Sequence, residues 1–423
     1  MRVLIVALVW CALGGVVMAQ ANRIDTVLPD APELALRGPH SVGVRTLTVT
    51  SPDRLDVLNG AGSDAPLYDR PLVLEIWYPA DLQGQQPGTT YTDVPLVDGV
   101  TRIALEGQAV RDAAPLQGRP AAPLVIVSHG YPGNRFLLSH FGEHLASKGY
   151  VVAAIDHFES TYDNQLGFAS TLMHRSPDQL FVLDAIADEA ADPASFLNAI
   201  VDPDRTAIIG YSMGGYGALI SAGAGVSEAS TQLGFAPAGG NLAALQASTP
   251  AYEAQRDPRL KAIIAIGAWG FNAGFWDARG LTGITIPTLF MAGSLDQVSG
   301  YDPGVRTLYQ SAVNAERYLL TFDNAGHNAA APMPAPIESQ TGAVPDSPFG
   351  HYADAVWSTQ RMNNIAQHFA TAFLDTHLRD DPSQRRYLDV TQSAEPFGEQ
   401  DWPGFAPNTA RGLRLEHAYP TEK

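Results

Sequence analysis

The chain has 423 residues, of which 45% are hydrophobic and 9% aromatic, so it can bury a sizeable core. This composition excludes disorder, collagen-like structure and coiled coil as descriptions of the whole chain. The 44 acidic and 26 basic side chains give a formal net charge of −18. Such a protein lacks the positive surface that nucleic acid or anionic lipid requires, so we expect neither as a partner.

Residues 1–21 are predicted to be an export signal peptide. Arg2 supplies the positive charge, Val3–Ala19 form an almost unbroken apolar run, and small residues permit cleavage after Ala19 or after Ala21. A membrane anchor is the alternative, since the run is near the lower length limit for a bilayer span. The only cysteine, Cys11, lies in this segment. We therefore expect an exported protein, periplasmic or secreted, with no disulfide and no integral membrane span in its mature chain.

Residues 22–423 are predicted to form a single α/β domain. Short apolar runs alternate with amphipathic stretches, which is typical of a mostly parallel sheet flanked by helices. We expect eight strands, at Val42–Val49, Pro71–Tyr78, Pro123–Ser128, Tyr150–Ile155, Thr206–Gly210, Lys261–Gly267, Thr288–Ala292 and Arg317–Phe322. We expect helices at Arg135–Lys148, Asp178–Ala190, Gly214–Ala224 and Asp354–Leu378, and a turn at Asp202–Arg205.

Two segments interrupt this alternation. Gly225–Arg259 is rich in Ala, Gly, Ser and Pro, and Ala329–Gly350 is rich in proline. We interpret both as loop or cap insertions at one end of the sheet, and residues 380–423 as a C-terminal extension of the same domain.

The segment Gly210-Tyr211-Ser212-Met213-Gly214 matches the G-x-S-x-G pattern of a nucleophile elbow. The pattern alone is a weak signal, and an ordinary glycine-rich turn is the alternative. Here it falls where an isoleucine-rich strand meets a helix of small residues, which is the setting that the elbow requires. A serine in such a strained turn needs tiny neighbours, and this accounts for the glycines. We therefore predict that Ser212 is a nucleophile at the positive end of a helix.

A serine nucleophile needs a histidine that takes its proton and a carboxylate that orients the histidine. On a sheet of this kind they follow in the order serine, acid, histidine. Asp296 follows the strand Thr288–Ala292, and His327 follows the strand Arg317–Phe322. These two are the predicted partners; the reserve acids are Asp302 and Asp277, and the reserve base is His351.

Acyl transfer also needs backbone N–H groups aimed at the oxyanion. Met213, directly after the nucleophile, is expected to provide one, and Tyr131, in the loop after Pro123–Ser128, the other. This chemistry needs no cofactor, and we predict none. We predict no metal site either, because His140 and His144 lie one helical turn apart without an evident third ligand.

Several of these segments resemble an α/β-hydrolase of the branch that contains platelet-activating-factor acetylhydrolases, dienelactone-hydrolase-like proteins and cutinase-like polyester hydrolases. The resemblance rests on Trp77–Ala80, Ser128–Gly130, Leu145–Tyr150, Gly210–Gly215 and Gly267–Trp269. True dienelactone hydrolases use cysteine at the elbow, where this chain has Ser212. The acetylhydrolases take their acid from the strand before Ala-Trp, where this chain has Gly267. The resemblance therefore implies that the acid is Asp296, as in the polyester hydrolases.

By analogy with the cutinase-like enzymes, Tyr131 and Trp269 would clamp the substrate; the alternative for Trp269 is a core position. The chain is thus predicted to be an exported serine hydrolase of carboxylic esters, acting on small-molecule, lipid or polymer substrates. A lipid esterase like the acetylhydrolases or a polyester hydrolase is the alternative within this class. An amidase, a peptidase or a non-catalytic binding protein is the alternative outside it. Ala329–Gly350, directly after His327, is expected to gate the cleft.

Overall fold

The computed structural model describes residues 21–340, 348–390 and 402–421. Residues 1–20 of the predicted signal peptide, with Cys11, lie outside these ranges, as do parts of Ala329–Gly350 and of the C-terminal extension. Within the described ranges, no helix is long and apolar enough to span a bilayer.

The described ranges contain thirteen strands and seven α-helices. The strands are β1 (Val42–Leu55), β2 (Leu67–Asp81), β3 (Thr89–Pro95), β4 (Arg102–Gly107), β5 (Val110–Arg111), β6 (Ala114–Pro115), β7 (Ala122–Ser128), β8 (Val151–Asp156), β9 (Val201–Tyr211), β10 (Leu260–Ile266), β11 (Thr288–Gly293), β12 (Arg317–Phe322) and β13 (Leu413–Ala418). The helices are α1 (Ser139–Ser147), α2 (Phe168–Ala191), α3 (Met213–Ser221), α4 (Pro250–Glu253), α5 (Ala278–Leu281), α6 (Val305–Ser311) and α7 (Thr359–Leu378).

One mixed sheet of eleven strands organises the fold, in the order β13-β12-β11-β10-β9-β7-β8-β2-β1-β5, with β6 paired to β2. The strands from β7 to β12 are mutually parallel, whereas the pairs β1–β2, β2–β8 and β12–β13 are antiparallel. All eight predicted strands are present. The predicted total of eight is too low, because β5 and β6 are too short to leave an apolar pattern and β13 lies in the C-terminal extension. β3 and β4 form a separate hairpin.

The central strands are buried on both faces. Val125 and Val127 of β7 belong to the core that includes side chains of α1 and α7. Leu124 and Ile126 belong to the opposite core, with side chains of α2 and α3. Because successive side chains of a strand point to opposite faces, a continuous apolar run such as β7 requires cover on both sides. The predicted α/β class is confirmed.

The predicted start of α2 is wrong. The helix begins at Phe168 rather than Asp178. Its first turns carry the polar residues Thr171, His174 and Arg175, all of which are buried. Polar side chains on a buried helix face disguise the apolar periodicity by which a helix is detected.

The predicted start of α7 is also wrong. The Ser358 hydroxyl caps the helix by accepting the Arg361 amide at 3.4 Å, and the first helical residue is Thr359. The Asp354 carboxylate, where we expected the helix to begin, accepts the amides of Val356 and Trp357 in a turn. A short acceptor side chain of this kind competes with the helix for backbone donors.

Several other boundaries differ by a few residues; α3, for example, ends at Ser221 rather than Ala224. α1 begins at Ser139 rather than Arg135, whose amide donates to the Asp156 carboxylate and is thereby fixed outside the helix. The turn expected at Asp202–Arg205 is a bulge inside β9, where the pairing with β7 passes from Asp202 directly to Thr206.

The C-terminal extension returns to the sheet as β13. Leu413 and Leu415 lie opposite Phe322 and Leu320 of β12, and only 2% and 1% of their surface is exposed. β12 leads directly into the loop that carries His327. The extension therefore supports the edge of the sheet from which this histidine is presented.

We expect Leu415→Ala to lower the free energy of unfolding by about 2–5 kcal/mol, the usual cost of a cavity at a fully buried leucine. Urea unfolding followed by circular dichroism measures this loss. The control is Leu36→Ala, at a leucine that is 54% exposed, for which the change should stay within about 0.5 kcal/mol. Equal effects at the two positions would show that β13 does not contribute to the core.

Candidate active site

Ser212 lies in the tight turn between β9 and α3, with φ 52° and ψ −114°. A residue other than glycine rarely adopts such a conformation, and it persists only where the surroundings enforce it. The Ser212 amide donates to the Ile266 carbonyl at 2.9 Å, and the Ser212 carbonyl accepts the amides of Tyr216 and Trp269 at 3.0 and 3.2 Å. The turn is therefore fixed between two neighbouring strands and the first turn of a helix.

The flanking glycines are required by close backbone contacts. A Cβ atom at position 210 would lie 2.2 Å from the Gly214 carbonyl oxygen, and one at position 214 would lie 2.0 Å from the Ser128 carbonyl oxygen. Neither distance leaves room for a side chain. The G-x-S-x-G pattern thus follows from the space available where β9, α3 and the end of β7 meet.

The structure brings the three predicted triad residues together. His327 Nε2 lies 3.0 Å from Ser212 Oγ, and His327 Nδ1 lies 2.9 Å from Asp296 Oδ2. The other carboxylate oxygen, Oδ1, accepts the amides of Val298 and Ser299 at 2.8 and 2.9 Å. The Asp296 side chain is fully buried, while His327 keeps 14% of its side-chain surface exposed. This arrangement allows Ser212 to pass a proton to His327 while Asp296 fixes the imidazole.

Parallel strands explain how distant residues meet. Ser212, Asp296 and His327 follow β9, β11 and β12, and the carboxyl ends of parallel strands lie at one edge of a sheet. Gly267, after β10, lies beneath the triad: a Cβ atom there would be 3.4 Å from the His327 ring and 3.5 Å from Asp296 Oδ2. The two candidate positions for the acid, 267 and 296, thus border the same histidine.

None of the three reserve residues is hydrogen-bonded to the triad within the described part of the chain. Asp277 caps α5 by accepting the Gly280 amide, and the half-exposed Asp302 pairs with Arg306 at 3.6 Å. His351 lies in the wall of the cleft but is bonded to Tyr162, not to Ser212 or Asp296.

The two predicted oxyanion donors border the serine. Met213 is the first residue of α3, so its N–H points out of the helix. The loop of Tyr131 is in contact with the serine, because a Cβ atom on Gly130 would lie 3.3 Å from Ser212 Cβ. Neither amide, Met213 nor Tyr131, has a hydrogen-bond acceptor within the described part of the chain. Both are free to bind an oxyanion.

The serine opens into a cleft of about 520 Å³. Its wall includes Tyr131, His327 and His351, together with Leu295, Val298 and Val356, which are each about half exposed or more. Among the described lining residues there is no lysine or arginine, and Asp354 is the one carboxylate. The cleft is thus suited to a neutral, partly apolar molecule.

Trp269 does not line this cleft. Its ring packs against Phe168, with centroids 5.4 Å apart, and Phe168 in turn lies 5.1 Å from the Tyr131 ring. Phe168 therefore contacts both rings of the predicted clamp. Substrate binding by Tyr131 and Trp269 stays a prediction.

The predicted insertions contribute unequally to the cleft. No residue of Gly225–Arg259, which is described throughout, lines it; Phe235 of that segment instead lies 6.2 Å from Phe168. In the described part of Ala329–Gly350, Gly350 forms part of the cleft wall, whereas Met333 is buried and donates its amide to the Leu137 carbonyl. Gating by this segment stays a prediction.

Sequence reasoning missed a buried polar network beneath the loop of Tyr131. The Arg175 guanidinium donates to the carbonyls of His129 and Gly130 at 2.9 and 3.3 Å. The His157 amide donates to His129 Nε2, so the ring proton is on Nδ1, which donates to the Gly130 carbonyl at 2.7 Å. Two carbonyls next to the predicted oxyanion donor are thus held by buried side chains.

A second Ser-His-Asp chain forms the base of this network. Ser128 Oγ lies 2.8 Å from His157 Nε2, and His157 Nδ1 lies 2.9 Å from Asp178 Oδ2. All three are buried, so no substrate can reach them. The Arg70 guanidinium donates two hydrogen bonds to the Asp178 carboxylate, at 3.0 and 3.1 Å. The role of this chain is structural.

A signal for the network was present in the sequence. His129 and His157 directly follow β7 and β8, which are adjacent and parallel, so the rule that identified the triad also places these two histidines together. What the sequence hides is Asp178, because it lies in the middle of α2 and belongs to no motif.

The network is charged only in part. Burial lowers the pKa of His157 to about 3, so this ring is neutral. Burial alone would raise the pKa of Asp178, but Arg70, His157 and Arg54 lower it well below its usual value, so this carboxylate stays ionised.

We expect Asp178→Asn to lower the free energy of unfolding by about 3–5 kcal/mol, because the buried Arg70 loses its two bonds to this carboxylate and keeps Glu159 as its charged partner. The control is Asp184→Asn, also on α2, whose 62% exposed side chain pairs with Arg259; it should cost less than about 1 kcal/mol. Since folding lowers the pKa of Asp178, its contribution is complete above about pH 5 and is lost as the pH falls below about 4. Urea unfolding at several pH values tests both statements, and a loss in Asp178→Asn that is independent of pH would contradict the second.

The strand order and the serine in a strand-turn-helix elbow define the class: the chain has the α/β-hydrolase fold, as the sequence predicted. A solved structure of a ferulic acid esterase from Streptomyces cinnamoneus has this fold and matches with a TM-score of 0.57, covering 89% of this chain and 98% of the esterase at 21% identity. No group of side chains in the described ranges has the composition of a metal site.

Within this class the sequence is similar to cutinase-like polyester hydrolases, the last of the three groups in the predicted branch. The PETase family model, described as PET hydrolase-like, matches residues 115–251. Cutinase est1 of Thermobifida alba is 27% identical over 207 residues, 48% of this chain and 53% of the cutinase. Cutinase 2 of Thermobifida cellulosilytica is 25% identical over 258 residues, 60% of this chain and 74% of the cutinase. The chain thus spans about half the length of the first of these relatives.

Proposed function

We propose that this protein is a serine hydrolase that cleaves carboxylic esters. The observation that carries the proposal is the continuous hydrogen-bond chain from Ser212 through His327 to the buried Asp296, at 3.0 and 2.9 Å. These are the distances at which a histidine can take a proton from a serine.

The reaction proceeds through an acyl-enzyme. Ser212 Oγ attacks the acyl carbon while His327 Nε2 takes the hydroxyl proton, and the amides of Tyr131 and Met213 stabilise the oxyanion. Collapse of the resulting tetrahedral intermediate breaks the bond between the acyl carbon and the alcohol oxygen. The alcohol leaves with the proton from His327, and the acyl-enzyme remains. Water then attacks the acyl-enzyme, giving a proton to His327, and release of the acid returns that proton to Ser212. Asp296 holds the imidazole throughout, and no cofactor takes part.

The ester class is favoured over amides by the relatives. Two are cutinases and the structural neighbour is a ferulic acid esterase, while the matching family is described as PET hydrolase-like. The apolar rim at Leu295, Val298 and Val356 and the absence of a cationic side chain from the described cleft wall suit neutral esters. We therefore propose a polyester or a small neutral ester as the substrate. A lipid ester of the acetylhydrolase type is the alternative.

We also propose that the protein acts after export. The apolar run of residues 3–19 behind Arg2, followed by small residues, supports this proposal. N-terminal sequencing of the protein from periplasm or medium would identify Ala19 or Ala21 as the cleavage site, and an uncleaved N-terminus would contradict export by this route.

We expect Ser212→Ala to reduce kcat on p-nitrophenyl butyrate by about a millionfold and to abolish labelling by a fluorophosphonate. Asp296→Asn should reduce kcat by roughly 10⁴-fold, because the wrong tautomer of His327 then faces the serine. The control is Asp302→Asn, at the half-exposed reserve acid, which should leave kcat unchanged. If Ser212→Ala retained full activity, the elbow would not carry the nucleophile.

The same triad would serve an amidase, so the bond type needs its own measurement. We expect p-nitrophenyl esters to be turned over faster than the matching anilides, since the aniline is the poorer leaving group and the cleft is suited to neutral esters. Faster anilide turnover would contradict the ester assignment. Absence of turnover together with absence of fluorophosphonate labelling would favour a binding protein.

A further inference from the structure

His351 lies in the wall of the catalytic cleft but takes no part in the triad. It is the last residue of a short 3-10 helix, Pro348–His351, and lines the same cleft as Ser212 and His327. Its Nε2 lies 2.7 Å from the Tyr162 hydroxyl, and the two rings are inclined at 77° with their centroids 5.4 Å apart. Tyr162 thus fixes one edge of the imidazole.

The other edge of the ring faces the cleft. Within the described part of the chain, Nδ1 of His351 has no hydrogen-bond partner, and it is not among the polar atoms that are shut off from solvent. Burial, with His327 nearby, lowers the pKa of His351 to about 4, so the ring is neutral and carries one proton. We assign this contact to the tautomer in which the Tyr162 hydroxyl donates to Nε2, which places the ring proton on Nδ1. The cleft wall therefore presents an unused N–H donor.

The position of His351 is rigid relative to the catalytic histidine. The Asn328 side-chain amide, next to His327, donates to the carbonyls of Gly350 and Ala353 at 2.8 and 2.7 Å. The Gly326 amide donates to the Asp354 carboxylate at 2.7 Å. Two residues that flank His327 are thus bonded to the segment that carries His351.

This wall is on the alcohol side of the scissile bond. His327 must deliver its proton to the departing oxygen, so the alcohol lies against the wall formed by residues 326–328 and 350–354. An N–H donor in this wall meets the alcohol portion of the ester.

We propose that His351 Nδ1 forms an alcohol-side subsite, donating a hydrogen bond to a second, neutral oxygen in the leaving group. The inference rests on the proposed esterase function and extends it to a substrate class: esters of alcohols that carry an ether, hydroxyl or further ester oxygen a few bonds from the scissile oxygen. The oxygen is neutral because a neutral imidazole, without a lysine or arginine in the described cleft wall, does not compensate an anion.

The test compares two esters of equal size, n-butyl butyrate and 2-methoxyethyl butyrate, in which one oxygen replaces one methylene group. Values of kcat/KM are divided by the rate of alkaline hydrolysis of each ester to remove intrinsic reactivity. We expect the wild-type protein to prefer the methoxyethyl ester by about threefold to tenfold, the usual range for one neutral hydrogen bond. In His351→Phe, which keeps the ring and loses the donor, the corrected ratio should fall to about one.

Two further variants separate recognition from a structural role. His351→Gln keeps an N–H donor and should restore part of the preference. Tyr162→Phe frees Nε2 and lets the ring proton move between the two nitrogens, so it should weaken the preference without abolishing it. Labelling of Ser212 by a fluorophosphonate in His351→Phe reports separately whether the catalytic serine is still reactive.

The outcomes distinguish the subsite from the esterase itself. If the wild-type protein hydrolyses both esters with a corrected ratio of one, or if His351→Phe keeps the wild-type ratio, the subsite is refuted and the esterase proposal stands. If the wild-type protein hydrolyses neither ester and Ser212 is not labelled, the esterase proposal fails. His351→Phe could lose both turnover and labelling. If His351→Gln then keeps the wild-type ratio and turnover, recognition by the N–H donor stands. If His351→Gln also loses turnover and labelling, recognition is refuted in favour of a structural role for His351.

Discussion

The strained turn at Ser212 is the constraint on which the rest of the site depends. Its backbone is held by hydrogen bonds to Ile266, Tyr216 and Trp269, which belong to the neighbouring strand, the following helix and the next loop. A serine elsewhere in the sheet would lie along a strand, where its hydroxyl could not stand above the edge. The turn places Oγ level with the loops after β11 and β12, in which Asp296 and His327 lie. The close packing of glycine backbone around the turn offsets the strain energy of the Ser212 conformation.

A second constraint operates below the surface of the cleft. The carbonyls of His129 and Gly130 are bound by Arg175 and His129, and the base of the network is the buried pair of Arg70 and Asp178. Buried charges of this kind are costly unless each is paired, and here the carboxylate accepts bonds from several donors at once. Fixed carbonyls keep the adjacent amides pointing in one direction. The network thus fixes the two carbonyls that directly precede Tyr131 in the loop.

The cleft combines an apolar rim with a wall that carries many polar side chains, among them Gln297, Asn324 and Asn328. Leu295, Val298 and Val356 provide apolar contact area but no directional interaction. The amides of Tyr131 and Met213 and the ring of His351 provide directional hydrogen-bond donors of small surface area. The net charge of −18 disfavours the approach of anions to the protein as a whole. Selectivity in such a site comes mainly from where the donors stand, because apolar contacts discriminate poorly between ligands of similar size.

The sequence by itself determined the α/β class, the eight central strands, the elbow that carries Ser212 and the two residues that lie next to it, Asp296 and His327. Each of these leaves a local signature: an apolar run, a glycine pattern, or a residue just after a strand. It did not determine the start of α2, the return of β13, the contact of Phe168 with both Tyr131 and Trp269, or the pairing of Asp178 with Arg70. Those features join residues that are far apart in the chain and carry no motif, so only the packing of the two faces of the sheet decides them. His351 shows most clearly what each level determines. The sequence identified a histidine near the site. Only the tertiary structure, through the contact of Nε2 with the Tyr162 hydroxyl, left Nδ1 as the nitrogen available to the cleft.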